Sequence, residues 1–342
     1  MKRSAVLLSV IFVSLMLAMS CRHKTTSNTP GEPLQNDTID TTLENLNDRI
    51  GKDSLNADNF YERSLYYIDN KDINSALSDI GKAIQLNDKN ADYFVALSDI
   101  YLAMNRIPNC MEALKKAEEI DPKNNTALLK LAEVYFILQD YKSVHLYTKK
   151  ALENNINDPL AYFIRGYAAL EQGDTVMAIK NFEKTADLDQ DNYGAYIELG
   201  TIYSAKHNPL AEGYFQAAVR INPNRPEGYY MLGMFYQGQA YFEKAVEIYN
   251  KLIVVSPGYK EAYYNLGYIN LVHFFDFDAS VDYFTKAINI DPKYTDAYFN
   301  RGYSYELMED FPNARKDYQK ALEITPNDEN SINGLNRLDN SH

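Results

Sequence analysis

Residues 295–328 read TDAYFNRGYSYELMEDFPNARKDYQKALEITPND, and this stretch decides the fold. Tyr298, Gly302 and Tyr305 recur at helical spacing, as do Ala314, Tyr318, Ala321 and Leu322 beyond a short polar break. The pattern predicts two amphipathic helices closed by Pro326, since proline cannot continue a helix. Going back along the chain, Gly302 heads a column of small residues: Ser64, Ser98, Ala132, Gly166, Gly200, Gly233 and Gly267. A second column holds Ala76, Cys110, Val144, Ala178, Ala211, Ala245, Ser280 and Ala314. A third holds Ala83, Ala117, Ala151, Thr185, Ala218, Leu252, Ala287 and Ala321. Small side chains are needed where two helix axes approach closely. Their fixed period signals a stacked array whose units cannot bury their apolar faces alone.

The units run 57–90, 91–124, 125–158, 159–192, 193–225, 226–259, 260–294 and 295–328. Their fourth position is Phe60, Phe94, Leu128, Tyr162, Tyr196, Tyr229, Tyr263 and Tyr298. Their eleventh is Tyr67, Tyr101, Tyr135, Ala169, Tyr203, Tyr236, Asn270 and Tyr305. Pro122, Pro223, Pro257, Pro292 and Pro326 close five units. The chain has 29 tyrosines and no tryptophan, and tyrosine at these two positions reads as packing between helices.

These offsets resemble the tetratricopeptide repeat, with its aromatic, Leu-Gly, Tyr, Ala, aromatic, Ala and Pro positions. The resemblance covers residues 57–328 and implies an all-α, right-handed α-solenoid of about eight helix pairs with short capping helices. Unit 3 lacks its closing proline, and unit 7 has Asn270 for the second aromatic. Residues 42–56 supply an N-terminal cap through Leu43, Leu46 and Ile50. Residues 329–342 supply a C-terminal cap and tail through Ile332, Leu335 and Leu338.

The front of the chain is different. Lys2 and Arg3 precede an apolar run from Ala5 to Met19, too short to span a bilayer, so residues 1–20 read as a signal peptide. Leu17-Ala18-Met19-Ser20-Cys21 resembles the lipobox of bacterial lipoproteins, although Ala18 stands where Leu is usual. The resemblance implies cleavage before Cys21 and lipidation of that residue. Residues 21–41 are rich in Thr, Ser, Asn, Asp and Pro and read as a flexible tether. Arg22 follows the cysteine, and by family analogy an envelope protein lipid-anchored in the outer membrane and facing the periplasm is expected. Cys110, at a small-residue packing position, is expected to be a buried structural thiol.

Formal charge is −13, and removal of Lys2 and Arg3 takes it to −15. Nucleic-acid binding needs dense Lys and Arg to release counterions, and this chain has no basic stripe. An acidic surface steers cationic partner segments instead.

In tetratricopeptide arrays, positions 2, 5, 9 and 12 of each first helix line a concave groove. Here they supply Phe163, Tyr167, Tyr230, Met234, Tyr264, Tyr268, Phe299 and Tyr303, with Asp99, Glu133, Glu261 and Asp296. No Lys or Arg occupies any of them; Lys130 is one position off. The carboxylate-gripping activity of the chaperone-cofactor members is therefore not carried over. An aromatic, acidic groove favours protein partners presenting apolar anchors with basic neighbours. Positions 5 and 9 also wedge between successive units, which gives the same residues a packing role. Arg63, Arg165 and Arg301 stand where Leu is usual and are expected to pair with acidic neighbours. Lys206-His207-Asn208-Pro209 is a residue short, and the turn from His273 to Asp278 is a residue long and carries three Phe.

His23, His145, His207, His273 and His342 are scattered, without metal-ligand spacing. No nucleophile elbow or phosphate loop occurs. Neither enzyme activity, cofactor nor metal is expected. The leading expectation is a membrane-anchored scaffold for protein partners; the alternative is a glycan- or small-ligand-binding lipoprotein of nutrient uptake.

Overall fold

A computed structural model describes residues 37–340. The expected signal peptide, Cys21 and the tether up to residue 36 lie outside the described residues. The helices are α1 (Asp37–Lys52), α2 (Ala57–Asp69), α3 (Ile73–Leu86), α4 (Ala91–Ala103), α5 (Ile107–Ile120), α6 (Asn125–Ile137), α7 (Tyr141–Asn154), α8 (Pro159–Glu171) and α9 (Thr175–Leu188). They continue as α10 (Tyr193–Ala205), α11 (Leu210–Ile221), α12 (Pro226–Gly238), α13 (Phe242–Val255), α14 (Lys260–Ile269), α15 (Phe277–Ile290), α16 (Thr295–Leu307), α17 (Phe311–Ile324) and α18 (Glu329–Asn340). A π-helical turn, Asn270–Phe274, extends α14. No strand occurs among the described residues, so the chain is an all-α solenoid of helix pairs. The chain divides into two compact units, one ending at Asp189 and the other starting at Gln190.

Each predicted repeat is one helix pair. Its two helices meet through the small-residue columns: Ala76, Ala178, Ala211, Ala245 and Ala314 are fully buried. A pairing rule hides behind the first column. Where it holds glycine, an aromatic ring of the second helix fills the space. A Cβ on Gly166 would come within 2.6 Å of Phe182, and one on Gly233 within 2.5 Å of Tyr249. Ser64, Ser98 and Ala132 are matched at the corresponding second-helix position by Ile80, Leu114 and Thr148. Glycine and ring are one choice, and the smaller partner goes with the larger small residue.

The turns inside the pairs share a backbone device. Lys71, Asn105, Gln139, His207, Ala240, Phe275 and Glu309 all have positive φ, and Gly173 takes the eighth such place. This left-handed residue ends the first helix and lets its last carbonyls find amide partners. The extra residue in unit 7 is absorbed before that point. The π-helical turn widens the helix, and Asn270 accepts the backbone N–H of Phe275 and of Asp276. Asn270 is buried and donates to the Leu266 carbonyl at 2.8 Å, which explains a polar residue in an aromatic column. Phe274 and Phe275 stay exposed as a lip, while His273 stacks on Phe242 at 3.6 Å.

The caps differ from expectation in detail. α1 starts at Asp37, inside the stretch read as tether, because Pro30, Gly31 and Pro33 lie ahead of it and nothing after Asp37 breaks a helix. Leu46 is its buried contact. On α18 the buried face is Ser331, Gly334 and Leu338. Ile332 is exposed, contrary to its expected capping role, because Gly334 takes the close approach to Tyr318.

Candidate functional site

First helices of successive repeats contact one another within each unit, as α2 with α4, α4 with α6, α6 with α8, and α10 with α12. Further along, Asn265 of α14 reaches the Met234 sulfur of α12 at 3.5 Å, and Asn300 of α16 donates to the Tyr264 hydroxyl of α14 at 2.9 Å. First helices therefore form the inner layer of each unit, and positions 2, 5, 9 and 12 lie on it.

In the first unit that layer is consumed by its own structure. Phe163 and Tyr167 were read as groove residues, but they are 1% and 4% exposed. They pack edge-on against Phe182 at 5.8 and 5.2 Å, which fills the core beside Gly166. The acids are partnered as well. Tyr93 donates to Asp58, Asn124 donates to Asp92 at 2.9 Å, and Lys130 donates to Asp99 at 2.6 Å. The first and third of these bonds join one repeat to the next, and the second ties the end of a repeat back to its own first helix. Glu133 belongs to the same cluster: its carboxyl is shut in by neighbours although the residue keeps part of its surface in solvent. Burial pushes its pKa up to about 7, against the pull of Lys130. Cys110 is buried and free, and burial pushes its thiol up to about 11.

The second unit keeps its inner layer available. Tyr230, Tyr264, Tyr268, Phe299 and Tyr303 are half-buried, and Met234 is 43% exposed. Glu261 is partly exposed, Asp296 is exposed, and neither has an ion-pair or hydrogen-bond partner among the described residues. Burial, then the charge of Glu261, raises the Tyr230 phenol; burial, then Asp296, pushes Tyr264 up to about 12. Two rings that sequence reading passed over join them. Tyr259 lies 5.3 Å from Tyr230, and Tyr294 stacks on Tyr264 at 5.1 Å. They occupy the residue before α14 and before α16, where a capping Asn or Asp is ordinary, and that break in the pattern was the available signal. The far end is closed: Arg337 of α18 pairs with Glu306 at 2.7 Å and lies over the Tyr303 ring at 5.5 Å.

The three arginines serve the fold. Arg63 grips Asp79 through two bonds of 2.6 and 2.8 Å, and Arg301 grips Asp317 at 2.7 and 2.8 Å. Arg165 departs from expectation. Asn181 stands where the other two repeats have Asp, so Arg165 donates to the Thr148 hydroxyl at 2.9 Å, and burial lowers its pKa. Among the described residues, no group of His, Cys, Asp and Glu could hold a metal ion, and no helix is long and apolar enough to cross a membrane. An open depression between α4 and α5, lined by Phe94, Leu97, Tyr101, Pro108 and Met111, shares no residue with the inner layer named above.

Family models of the tetratricopeptide repeat match residues 91–124, 226–259 and 260–294, residues 295–328, and residues 165–226. The chain belongs to the tetratricopeptide repeat family. The first four of those matches coincide with units delimited from the sequence alone. Among solved structures, the chain is similar to the C-terminal part of a TPR repeat-containing protein from Cytophaga hutchinsonii, at 20% identity and a TM-score of 0.61, covering 70% of this chain and 99% of that one. It is also similar to Pseudomonas aeruginosa pilF, at 21% identity and a TM-score of 0.51, covering 60% of this chain and 93% of that one. A tetratricopeptide repeat protein from Parabacteroides merdae matches at 16% identity and a TM-score of 0.48, covering 72% and 98% of the two chains. Comparison with curated proteins gives no match. Proteins of this family generally mediate protein–protein interactions, and the fold is typically a non-catalytic scaffold.

Proposed function

We propose that this protein is a lipid-anchored interaction scaffold of the bacterial cell envelope, holding a segment of a partner protein against the inner layer of its second unit. One observation carries the placement. In the first unit Asp58, Asp92 and Asp99 are each hydrogen-bonded to another side chain of the array, whereas Glu261 and Asp296 have no ion-pair or hydrogen-bond partner among the described residues. Unpaired carboxylates among aromatic anchors suit a segment that offers apolar side chains with basic neighbours. Met234 adds an adaptable, exposed thioether to the same face.

The anchor is argued from the front of the sequence: Lys2, Arg3, the apolar run and Cys21 in its lipobox-like setting. Several acyl chains on one cysteine would hold the protein stably, where one chain would not. The periplasmic face of the outer membrane is the proposed location. The glycan-binding alternative is less well supported, because Tyr230 and Tyr264 turn toward Tyr259 and Tyr294 instead of standing alone as stacking platforms.

Two experiments test this reading. Metabolic labelling with an alkyne fatty acid should mark the wild-type chain and not Cys21→Ser; equal labelling removes the anchor. Recovery of partners from the envelope with the lipidated protein should fall when Tyr230, Tyr264 and Tyr268 are all changed to Lys. Equal recovery of every partner removes the groove.

A further inference from the structure

The residues before α12, α14 and α16 break a rule that the five earlier first helices keep. Asn56, Asn90, Asn124, Asp158 and Asn192 each accept a backbone N–H of the first helix they precede. Arg225, Tyr259 and Tyr294 hold the same place before α12, α14 and α16 and make no side-chain cap. Losing a cap destabilises a helix terminus, so three consecutive losses call for a compensating role.

Arg225 shows what that role is. Its guanidinium lies over the Tyr193 ring, 4.2 Å from the centroid, and its Nε is 3.4 Å from the Glu227 carboxylate. A planar cation is held between a ring and an acid at the second helical position. In the next two repeats a tyrosine stands where Arg225 does and packs on a ring of the preceding first helix, while the acid is kept at the second helical position. Tyr230 and Tyr259 lie 5.3 Å apart, with Glu261 two residues after Tyr259, and Tyr264 and Tyr294 lie 5.1 Å apart, with Asp296 two residues after Tyr294. The nearby chain cation is already committed: Lys260 reaches the Tyr294 ring at 5.0 Å, but its ammonium pairs with Asp291 at 2.5 Å. Burial, then the neighbouring phenols and the carboxylates, hold the Tyr259 and Tyr294 hydroxyls well above their ordinary range, so the rings stay neutral.

We propose that the Tyr230–Tyr259 pair with Glu261, and the Tyr264–Tyr294 pair with Asp296, are two guanidinium subsites one repeat apart, which read arginine side chains on an extended segment of the partner protein. The inference rests on the groove reading above and adds its chemistry. Arginine fits better than lysine because its flat, weakly hydrated head stacks on a ring while donating to an acid. The chain's own Arg225 is the internal precedent.

The probe is a panel of glycine–serine peptides bearing two arginines at varied spacing, with matched panels carrying lysine or neutral citrulline. Binding to the intact chain is measured by calorimetry. The best arginine peptide should bind about tenfold tighter than its citrulline match, with lysine between, and should weaken with salt. Tyr259→Asn with Tyr294→Asn should abolish that preference in a chain that still folds. Asparagine restores the cap used at Asn90 and Asn124 and offsets part of the lost ring packing, and thermal unfolding confirms that the variant is folded at the assay temperature. Glu261→Gln with Asp296→Asn, at solvent-accessible positions, should lower the preference without touching the rings. Equal affinity for arginine and citrulline peptides, no measurable arginine-peptide binding, or a preference that survives both double variants would overturn the proposal. Envelope partners lost with the triple lysine variant but fully kept by the double asparagine variant would sink this inference alone. Partners indifferent to both variants would sink the groove reading with it.

Discussion

Removing one carboxylate charge from the last repeat, by Asp317→Asn, should destabilise the second unit by about 3 kcal/mol. The figure follows from the geometry. Arg301 and Asp317 meet through bonds of 2.7 and 2.8 Å, with side chains only 17% and 5% exposed. Breaking a buried pair on one side costs about 3–5 kcal/mol, because the other charge is left without compensation. Arg301 keeps its 2.9 Å bond to Thr285, and an asparagine oxygen can accept one of the two lost bonds, which places the cost at the lower end. For a unit of this size, about 2–4 °C per kcal/mol converts to a fall of about 6–12 °C. Repeat arrays need not unfold in one step, so urea titration should be followed by hydrogen exchange in α16 and α17, where protection is lost first. Asp79→Asn, which breaks the equivalent Arg63 pair, should give a loss of similar size confined to the first unit. Replacing both partners, Arg301→Met with Asp317→Leu, should stay within about 1 kcal/mol of the parent or exceed it. If Asp317→Asn changes stability by less than about 0.5 kcal/mol, as ordinary surface substitutions do, the assignment of these arginines to the fold is wrong.

Three further outcomes follow from local geometry. The Glu133 carboxyl has a folded pKa of about 7 against an ordinary 4.5, so the native first unit binds an extra proton between those values. Its stability should fall as pH rises through that window and level off above it, and Glu133→Gln should flatten the slope and gain about 1–3 kcal/mol at pH 8, read from urea midpoints. Gly233→Ala gains about 1 kcal/mol of helix propensity but drives a Cβ to 2.5 Å from the fully buried Tyr249, which Gln237 and Asn265 hold in place. A net loss of about 1–2 kcal/mol is expected, whereas Gly238→Ala, with open space around its Cβ, should gain up to about 1. Phe275→Gly places glycine at φ 56° in place of an exposed ring and should stabilise the chain by about 1 kcal/mol in thermal unfolding, which a lip serving only as a surface would not oppose.

The repeat architecture was legible because three small-residue columns and two aromatic ones state the same period, and each is tied to helix approach or the filling of space. What the columns did not reveal was how residues in different columns trade volume. Gly166 and Phe182, or Gly233 and Tyr249, are sixteen residues apart and read as unrelated until the ring is seen against the missing Cβ. The candidate face was half legible for a similar reason. Spacing puts Tyr167 and Tyr268 at the same position of their repeats, yet Tyr167 is buried by a ring that Gly166 admits, and Tyr268 keeps solvent contact. Acids behave likewise: Asp92 and Asp296 both stand second in their repeats, and only the placement of Asn124 separates a bonded carboxylate from a free one. Tyr259 and Tyr294 were visible as departures from the capping pattern, but their meaning needed the neighbouring rings.

Site-specific photo-cross-linking tests the central claim most directly. A photoreactive residue in place of Met234, 43% exposed on the inner layer, is compared in living cells with one in place of Val254, 80% exposed on α13. The account predicts that a discrete partner is captured from position 234, not from 254, and is lost when Glu261 and Asp296 are neutralised. Capture of the same partner from Val254 with none from Met234, or capture indifferent to the two carboxylates, would contradict it.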